Sequence, residues 1–178
     1  MKAALSFLIA LLCSVPAIPS LAAIDSLGEV AGWDIEVDED QAMCSMTRDS
    51  GPSGQNTLSV IESPDQTMSI IATSESWRLH ASSQVAVTLA LGRHYSLKSD
   101  GYTTDDGQSV IVVLGADKNF MEALAENRRL NLTTGRASVS FPLDGVQAAL
   151  GAVAACIVNL NSDDDGGSEG FDSENPSI

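Results

Sequence analysis

Short segments that alternate apolar and polar residues follow one another between Val30 and Leu114, and this pattern constrains the fold more than any other feature of the chain. Trp33, Ile35 and Val37 alternate with acidic residues, and a period of two is typical of a strand with one buried face. Further segments of this kind occupy 43–47, 57–62, 67–72, 85–91, 93–97 and 110–114, with 77–79 as a shorter piece. Turns rich in glycine, proline, serine and aspartate separate them, for example at 48–54 and 100–107. Short strands joined by tight turns favour an antiparallel sheet.

The pattern changes in the second half of the domain, where helical spacing first replaces alternation. Asp117 can cap a helix that carries Phe120 and Leu124 on one face. Segments 130–133 and 137–141 then return to a composition that is typical of strands. We therefore expect one helix and two more strands before the final element.

The final element is predicted to be a long, alanine-rich helix. Asp144, with Gln147 three residues later, resembles a capping box, and the helix is expected to run from there to about Leu160. Its small residues would allow close packing on a sheet. Residues 23–29 have neither pattern and are expected to form a short lead. Together these features predict an α+β fold: a mostly antiparallel, twisted sheet of about six to eight strands with two helices, the C-terminal helix packed on the sheet.

The N-terminal residues have the composition of a cleavable export signal. Lys2 precedes an apolar run over 3–13, and the small residues of Ser20-Leu21-Ala22 fit the positions that a signal peptidase reads. The apolar run is shorter than the roughly 20 residues that span a bilayer, so we expect no membrane anchor. Removal of residues 1–22 as a signal peptide would give a periplasmic or secreted protein.

The net charge of the chain narrows the classes of molecule that it can bind. The chain carries 24 acidic and 9 basic residues, and removing residues 1–22 takes away only Lys2 among them, so the net charge changes from −15 to −16. Nucleic acids and anionic membranes are polyanions, and this charge opposes binding to either. Cations, basic patches on proteins and neutral ligands remain, and another protein is the expected partner. The oligomeric state stays open.

Composition also divides the chain. Residues 23–160 are long enough for a single domain with its own core. Residues 161–178 hold six acidic side chains and no basic one, and such a segment cannot bury enough apolar surface to offset its ordering entropy. We predict an acidic, disordered tail there. Oxygen-bearing residues from Asn161 onward have a spacing close to that of a calcium-binding loop, so calcium binding by the tail stays an open alternative.

Two cysteines remain after the predicted cleavage, Cys44 and Cys156. An even number of thiols in an oxidising compartment predicts one disulfide, which would join the first part of the domain to its last helix. Two buried free thiols are the alternative. Two cysteines cannot form a thiolate metal cage of the structural zinc type, and they are too far apart in sequence for a Cys-x-x-Cys redox pair. We predict no metal site and no cofactor.

Trp33 is followed by Cys44, by Trp77-Arg78-Leu79 and later by Phe141-Pro142-Leu143-Asp144-Gly145-x-x-x-Ala149-Leu150, which runs into Cys156. This order resembles that of a loose group of small exported proteobacterial domains, in which a C-terminal Leu-x-Gly-x-x-x-Ala-Leu helix ends on a cysteine. The resemblance covers most of residues 30–156. It implies the fold and the compartment, and it carries over no activity and no functional residue.

Two patterns could support hydrolysis. Asp49-Ser50-Gly51 matches the Asp-Ser/Thr-Gly triplet of aspartic proteases, which need two carboxylates that share a proton. The domain has one copy, so the second carboxylate would have to come from a homodimer. His80 and His94 are the only histidines, and either could form a Ser–His–Asp site with Ser82 or Ser83. Nothing in the spacing requires such a site, and an ordinary strand residue is the simpler interpretation of His94.

Trp77 and Arg78 form the remaining candidate site, because tryptophan and arginine are common interface anchors. The alternative is that Trp77 packs in the core. The sequence favours an exported, soluble binding or accessory protein of the bacterial envelope, for example an inhibitor of another protein. A small hydrolase that uses Asp49 or a site at His80 or His94 is the second hypothesis, and a structural envelope protein is the third.

Overall fold

The computed structural model describes residues 24–135 and 137–164. The predicted signal peptide and residues 165–178 of the predicted tail lie outside these ranges. Ten strands and two α-helices are present in the described part of the chain: β1 Ile24–Val30, β2 Trp33–Asp38, β3 Met43–Ser50, β4 Asn56–Glu62, β5 Met68–Ser74, β6 Gln84–Leu91, β7 Tyr95–Thr103, β8 Ser109–Gly115, α1 Lys118–Glu126, β9 Arg129–Thr134, β10 Ala137–Pro142 and α2 Val146–Asp164.

All ten strands belong to one sheet with the order β1-β2-β3-β4-β5-β8-β7-β6-β9-β10. Every neighbouring pair is antiparallel, which confirms the predicted type of sheet. The β7–β8 pairing is short, because only Tyr102 and Thr103 have partners on β8. The edge strand β10 contacts β4, although the two strands are distant in the sheet order. The sheet therefore curls, and its inner face encloses the core.

The predicted number of strands is wrong, because the sheet has ten strands rather than six to eight. The clearest omission is β1, which occupies the residues expected to form a lead. Nearly all of β1 is exposed, so its sequence has no alternation of buried and exposed positions. A two-residue turn at Ala31 and Gly32, with φ of 52° and 83°, forms this strand by pairing it with β2.

Strand β7 also extends through residues that the sequence analysis assigned to a loop. Gly101 was expected to be a turn residue, yet it pairs with Val85 in the middle of the sheet. A Cβ atom at this position would lie 2.8 Å from Val87 Cγ2 and 2.9 Å from Val110 Cγ1. Gly101 is therefore explained by close packing across the strands rather than by a turn.

Helix α2 packs on β2 and β3, as predicted for the C-terminal helix. It extends four residues beyond the expected end at Leu160, to Asp164. Its buried positions recur at helical spacing and comprise Val146, Ala149, Val153, Cys156 and Ile157. No helix in the described ranges is both long and apolar enough to cross a bilayer.

The predicted disulfide between Cys44 and Cys156 is confirmed. The two Cα atoms are 6.2 Å apart, and the bond joins β3 to α2 across 112 residues of sequence. Both cysteines are buried, at 0% and 5% exposure. The bond therefore fixes the helix to the sheet from inside the core.

Candidate functional site: an open cleft at Trp77–His80

A cleft with a volume of about 830 Å³ lies where three parts of the chain meet. The first wall is the irregular segment 76–80, the second is the start of β6, and the third is the turn between β9 and β10. The described residues that line it are Ser76, Trp77, Arg78, Leu79, His80, Val85, Ala86, Thr134, Gly135, Ala137 and Ser138. Three residues that the sequence singled out, Trp77, Arg78 and His80, thus lie in one cleft.

Backbone hydrogen bonds hold the first wall in place. The amide of Leu79 donates to the carbonyl of Gly107 at 3.0 Å. The buried Thr103 hydroxyl lies within hydrogen-bonding distance of the carbonyl oxygens of His80 and Ser83. A Cβ atom on Gly107 would collide with the Leu79 carbonyl, so the loop before β8 is in direct contact with this wall. The cleft is thereby largely preformed, which lowers the entropic cost of binding.

Arg78 is exposed beside the cleft and is anchored through one nitrogen atom. Its Nη1 donates to the carbonyl of Glu75 at 2.7 Å and to that of Trp77 at 2.5 Å. Both are neutral acceptors, so in the described part of the chain the guanidinium keeps its charge without a bonded carboxylate. An arginine offers five N–H donors, and Nε with Nη2 can donate two parallel hydrogen bonds to a carboxylate.

Trp77 lies almost entirely in the core, at 2% exposure, and it is also one of the residues that line the cleft. The core packing of Trp77 that the sequence analysis gave as the alternative is therefore observed, whereas Arg78 is exposed. The indole N–H of Trp77 is buried and has no acceptor among the described residues. An unpaired buried donor is costly, so such a group is rare in a core.

The charge of this cleft differs from that of the whole chain. Its described lining contains Arg78 and His80 and no acidic side chain, whereas the chain as a whole has a net charge of −15. A second cleft, of about 410 Å³ and lined in part by α1, includes Glu122 and Glu126 beside its own arginine and histidine. Among the described residues that line the Trp77 cleft, Arg78 is therefore the one side chain with a formal charge, and that charge is opposite in sign to the net charge of the chain.

The two histidines are not brought together. His80 precedes β6 and His94 follows it, so the eight residues of the strand separate them, a span of roughly 25 Å. Both side chains are exposed. The structure gives no shared site for them.

Hydroxyl groups near His80 are engaged elsewhere. Ser83 Oγ donates to the backbone carbonyl of His80 at 2.8 Å, and Ser82 Oγ bonds the carboxylate of Asp105. A nucleophilic serine needs its hydroxyl bonded to an imidazole nitrogen that can take the proton. Neither serine has that arrangement in the described residues, so this region does not assemble the catalytic triad considered above.

Asp49 lies within β3 rather than on the loop that the aspartic protease mechanism requires. It pairs with Thr57 on β4, and Thr57 Oγ1 donates to Asp49 Oδ1 at 2.6 Å. This is an exposed cross-strand contact on a regular sheet. The triplet at 49–51 is thereby accounted for as the end of a strand and the start of a turn.

The sequence analysis missed the other two walls of the cleft. Val85 and Ala86 belong to a predicted strand, and Thr134, Ala137 and Ser138 belong to a predicted hairpin, but nothing local marks them as site residues. They meet the Trp77 segment only because β6 lies beside β9 in the sheet.

Within residues 24–135 and 137–164, no group of three histidine, cysteine, aspartate or glutamate side chains could hold a metal ion.

The fold has a counterpart among solved structures. Invasion associated protein B from Bartonella henselae superposes with a TM-score of 0.55 and 19% sequence identity, over 75% of this chain and 96% of that chain. At this identity the likeness concerns the fold alone. No protein-family model matches the sequence, and a comparison with curated proteins finds no match.

Proposed function

We propose that this chain is an exported accessory protein of the bacterial envelope that binds another protein through the Trp77 cleft. The single observation that carries the proposal is the cleft itself: a preformed concave surface that combines apolar side chains with one anchored arginine. Concave, mostly apolar surfaces with a few placed polar groups are the usual form of binding sites. Arginine and tryptophan are also enriched at the energetic centres of protein interfaces.

The proposed compartment draws on four indications of different kinds. The first residues fit a signal peptide, and a buried disulfide suits an oxidising compartment. The structural neighbour is named as an invasion associated protein of a bacterium, which is compatible with a role at the envelope. The resemblance to small exported proteobacterial domains would place the chain in the same setting.

A binding role also accounts for the site better than hydrolysis does. The candidate catalytic groups are dispersed: Asp49 lies on β3, and His80 and His94 lie at opposite ends of β6. The hydroxyl groups of Ser83 and Ser82 are bonded to a backbone carbonyl and to a carboxylate, respectively. The cleft therefore presents shape and charge without an activated nucleophile.

Site-specific photo-crosslinking in the native envelope tests the proposal. A photoreactive residue replaces Ser138, which is exposed in the cleft, and in a matched control it replaces Ser96, which is exposed at the opposite end of the β6–β7 pair. We expect one protein, identified by mass spectrometry, to be crosslinked from position 138 and not from position 96. Crosslinking to the same protein from position 96 alone would contradict the assignment of the cleft.

A further inference from the structure

The outer face of the three neighbouring strands β4, β5 and β8 carries no charged side chain. Inward residues of these strands, such as Leu58, Ile70 and Val112, belong to the core, so the alternate positions face outward. The outward positions comprise Thr57, Ser59, Ile61, Ser69, Ile71, Thr73, Ser109, Ile111 and Val113. A chain with 24 acidic and 9 basic residues thus leaves this part of its surface without charge.

Apolar residues form a continuous patch on this face, here called the outer patch. Ile71 on β5 lies directly opposite Ile111 on β8, and Ile111 lies opposite Tyr102 on β7. Ile61 on β4 and Val113 on β8 extend the patch at the next outward positions. Val113 is 56% exposed and Tyr102 is 58% exposed, and the three isoleucines are partly exposed and do not pack against the core cluster. Contiguous exposed apolar patches mark interaction surfaces.

The sequence of β8 is typical of a strand that is buried on both faces. Residues 110–114 are continuously apolar, and β5 has Ile70 and Ile71 side by side, one for each face. A strand with one solvated face alternates apolar and polar residues, whereas a continuous apolar run indicates that both faces are covered. Val112 is fully buried, but Val113 is open to solvent. The sequence therefore predicts a cover for the outer patch that the described residues do not supply.

Hydroxyl groups around the outer patch are paired with one another. Thr47 Oγ1 donates to Ser59 Oγ at 2.9 Å, and the hydroxyl oxygens of Thr73 and Ser109 lie 2.8 Å apart. A hydroxyl that already has a partner within the protein loses less when a docking surface displaces water. The polar fringe of the patch can therefore be buried at low cost.

An acidic row borders the outer patch on one side. It consists of the outward residues of β2, which are Asp34, Glu36 and Asp38. Glu29 on β1 lies directly opposite Asp34, and like charges in this position repel. Residues 24–47 contain no lysine, arginine or histidine that could offset these carboxylates. Only β3 separates the row from β4, and strands two apart in a sheet lie about 10 Å from each other.

Charge complementarity identifies the occupant of the outer patch. Protein interfaces have an apolar centre and a polar rim, and the rim on the β2 side is acidic, so a complementary surface carries lysine or arginine beside apolar residues. A second copy of this chain would instead bring a second acidic row and a net charge of −15. An anionic membrane surface would be repelled in the same way.

From these observations we propose that the outer patch docks a basic partner protein. The partner packs apolar side chains on Ile71, Ile111 and Val113, and its lysine or arginine side chains face the acidic row on β2. This surface is additional to the proposed function and does not depend on it, since no residue of the outer patch is among the described residues that line the Trp77 cleft.

Photo-crosslinking in the native envelope tests this surface. A photoreactive residue replaces Val113, and in a matched control it replaces Val158, a similarly exposed valine on α2. Helix α2 lies on the inner side of the sheet, because its Cys156 is bonded to the inward Cys44. We expect position 113 to be joined to one protein, identified by mass spectrometry, and position 158 not to be joined to it.

The affinity of the purified partner then tests the role of charge. Asp34→Asn combined with Glu36→Gln should weaken binding about tenfold and reduce its dependence on salt, because two rim charges are removed. Glu122→Gln combined with Glu126→Gln removes the same charge from α1 and should leave the affinity within about twofold of the wild-type value.

The apolar centre is tested by an isosteric change. Val113→Thr keeps the shape and the preference for a strand but places a hydroxyl group in the interface, so binding should weaken about tenfold. Tm should stay within about a degree or two, because the position is exposed in the free protein. Val158→Thr is the matched control and should change neither the affinity nor Tm.

Other occupants of the outer patch would give different results. Crosslinking of position 113 to a second copy of this chain, or to lipid, would overturn the proposal. A partner whose affinity is unchanged by Asp34→Asn with Glu36→Gln would overturn it as well, because the acidic row would then play no part. The absence of any crosslink from position 113 would show that the patch has no partner in the envelope.

Discussion

The two tryptophans of this protein each lie close to an arginine, but their surroundings differ. Trp33 donates its indole N–H to the carbonyl of Asp144 at 3.0 Å, and the guanidinium of Arg48 lies 5.8 Å from its ring centroid and bonds the same carbonyl. Trp77 has no acceptor among the described residues, and Arg78 bonds only neutral carbonyls.

The difference separates a region that stabilises the fold from one that is available for binding. The Trp33 group ties β2 and β3 to the start of α2, and the disulfide ties β3 to the same helix further along. Trp77 and Arg78 line an open cleft instead. A buried polar group that is fully paired contributes to stability, whereas an unpaired one costs stability and is retained where another requirement outweighs that cost.

The largest expected effect comes from removing the disulfide, which lies in the same region as Trp33. Cys156→Ser should lower the free energy of unfolding by about 2–5 kcal/mol, because the disulfide closes a long loop in the denatured chain. Denaturant unfolding with and without reductant measures the effect, and reduction of the wild-type protein should reproduce it. An unchanged midpoint would show that this side of the molecule does not carry the stability.

Replacing each tryptophan with phenylalanine compares the two regions directly. Trp33→Phe should cost about 1–3 kcal/mol, because it removes a hydrogen bond and leaves space in the core. Trp77→Phe leaves similar space but also removes an unpaired donor, so its cost should be smaller by about 1 kcal/mol. Thermal unfolding of both variants gives the difference. Equal costs would mean that the Trp77 N–H finds an acceptor in solution.

Replacing Arg48 and Arg78 should give a smaller difference in stability, again with the larger cost on the Trp33 side. Arg48→Gln removes the contact with the Trp33 ring and a charged hydrogen bond to Asp144, and should cost about 1 kcal/mol. Arg78→Gln should change stability by less than about 0.5 kcal/mol, since an exposed arginine contributes little to folding. A large loss of stability in Arg78→Gln would show that it is a structural residue and would complicate its use in binding assays.

The smallest expected effect is a change in the pH dependence of stability near the disulfide, and Glu62 allows it to be tested. It pairs with Cys44 across the sheet, and burial raises the pKa of its carboxyl group. A raised pKa in the folded state contributes stability at low pH, below the ordinary glutamate value, and this contribution is lost as the pH rises through the folded-state pKa. Glu62→Gln should therefore raise Tm slightly at pH 7, by about a degree or less.

The advantage of Glu62→Gln should disappear below about pH 4, where the wild-type carboxyl is protonated in both states. Glu36→Gln, at an outward position on β2, serves as the comparison for loss of one negative charge. Equal effects of both substitutions at pH 7 would attribute the gain to net charge rather than to burial of Glu62.

Local patterns in the sequence predicted much of the fold. The alternation at Trp33, Ile35 and Val37 correctly indicated a strand with one buried face. Asp117 caps α1 through a hydrogen bond from the Phe120 amide, as its position suggested. These features depend on neighbours a few residues away, so they can be read without knowing the sheet order.

Other features could be identified only once the neighbouring strands and side chains were known. The sequence of β1 carries no alternation because the strand is exposed on both faces, and Gly101 looks like a turn residue until Val87 and Val110 are placed beside it. The cleft likewise needs the non-local pairing of β6 with β9, which brings residues 134–138 to the Trp77 segment.

The sequence by itself determined the class of fold, the two helices and the disulfide, because strand alternation, helix caps and an even number of cysteines are local or countable properties. Only the tertiary structure decided which tryptophan is paired and which arginine is available. Trp33 and Trp77 have similar local sequences in this respect, each being an apolar residue beside polar ones. Their roles differ because Asp144, 111 residues away from Trp33, reaches one indole N–H and no described residue reaches the other.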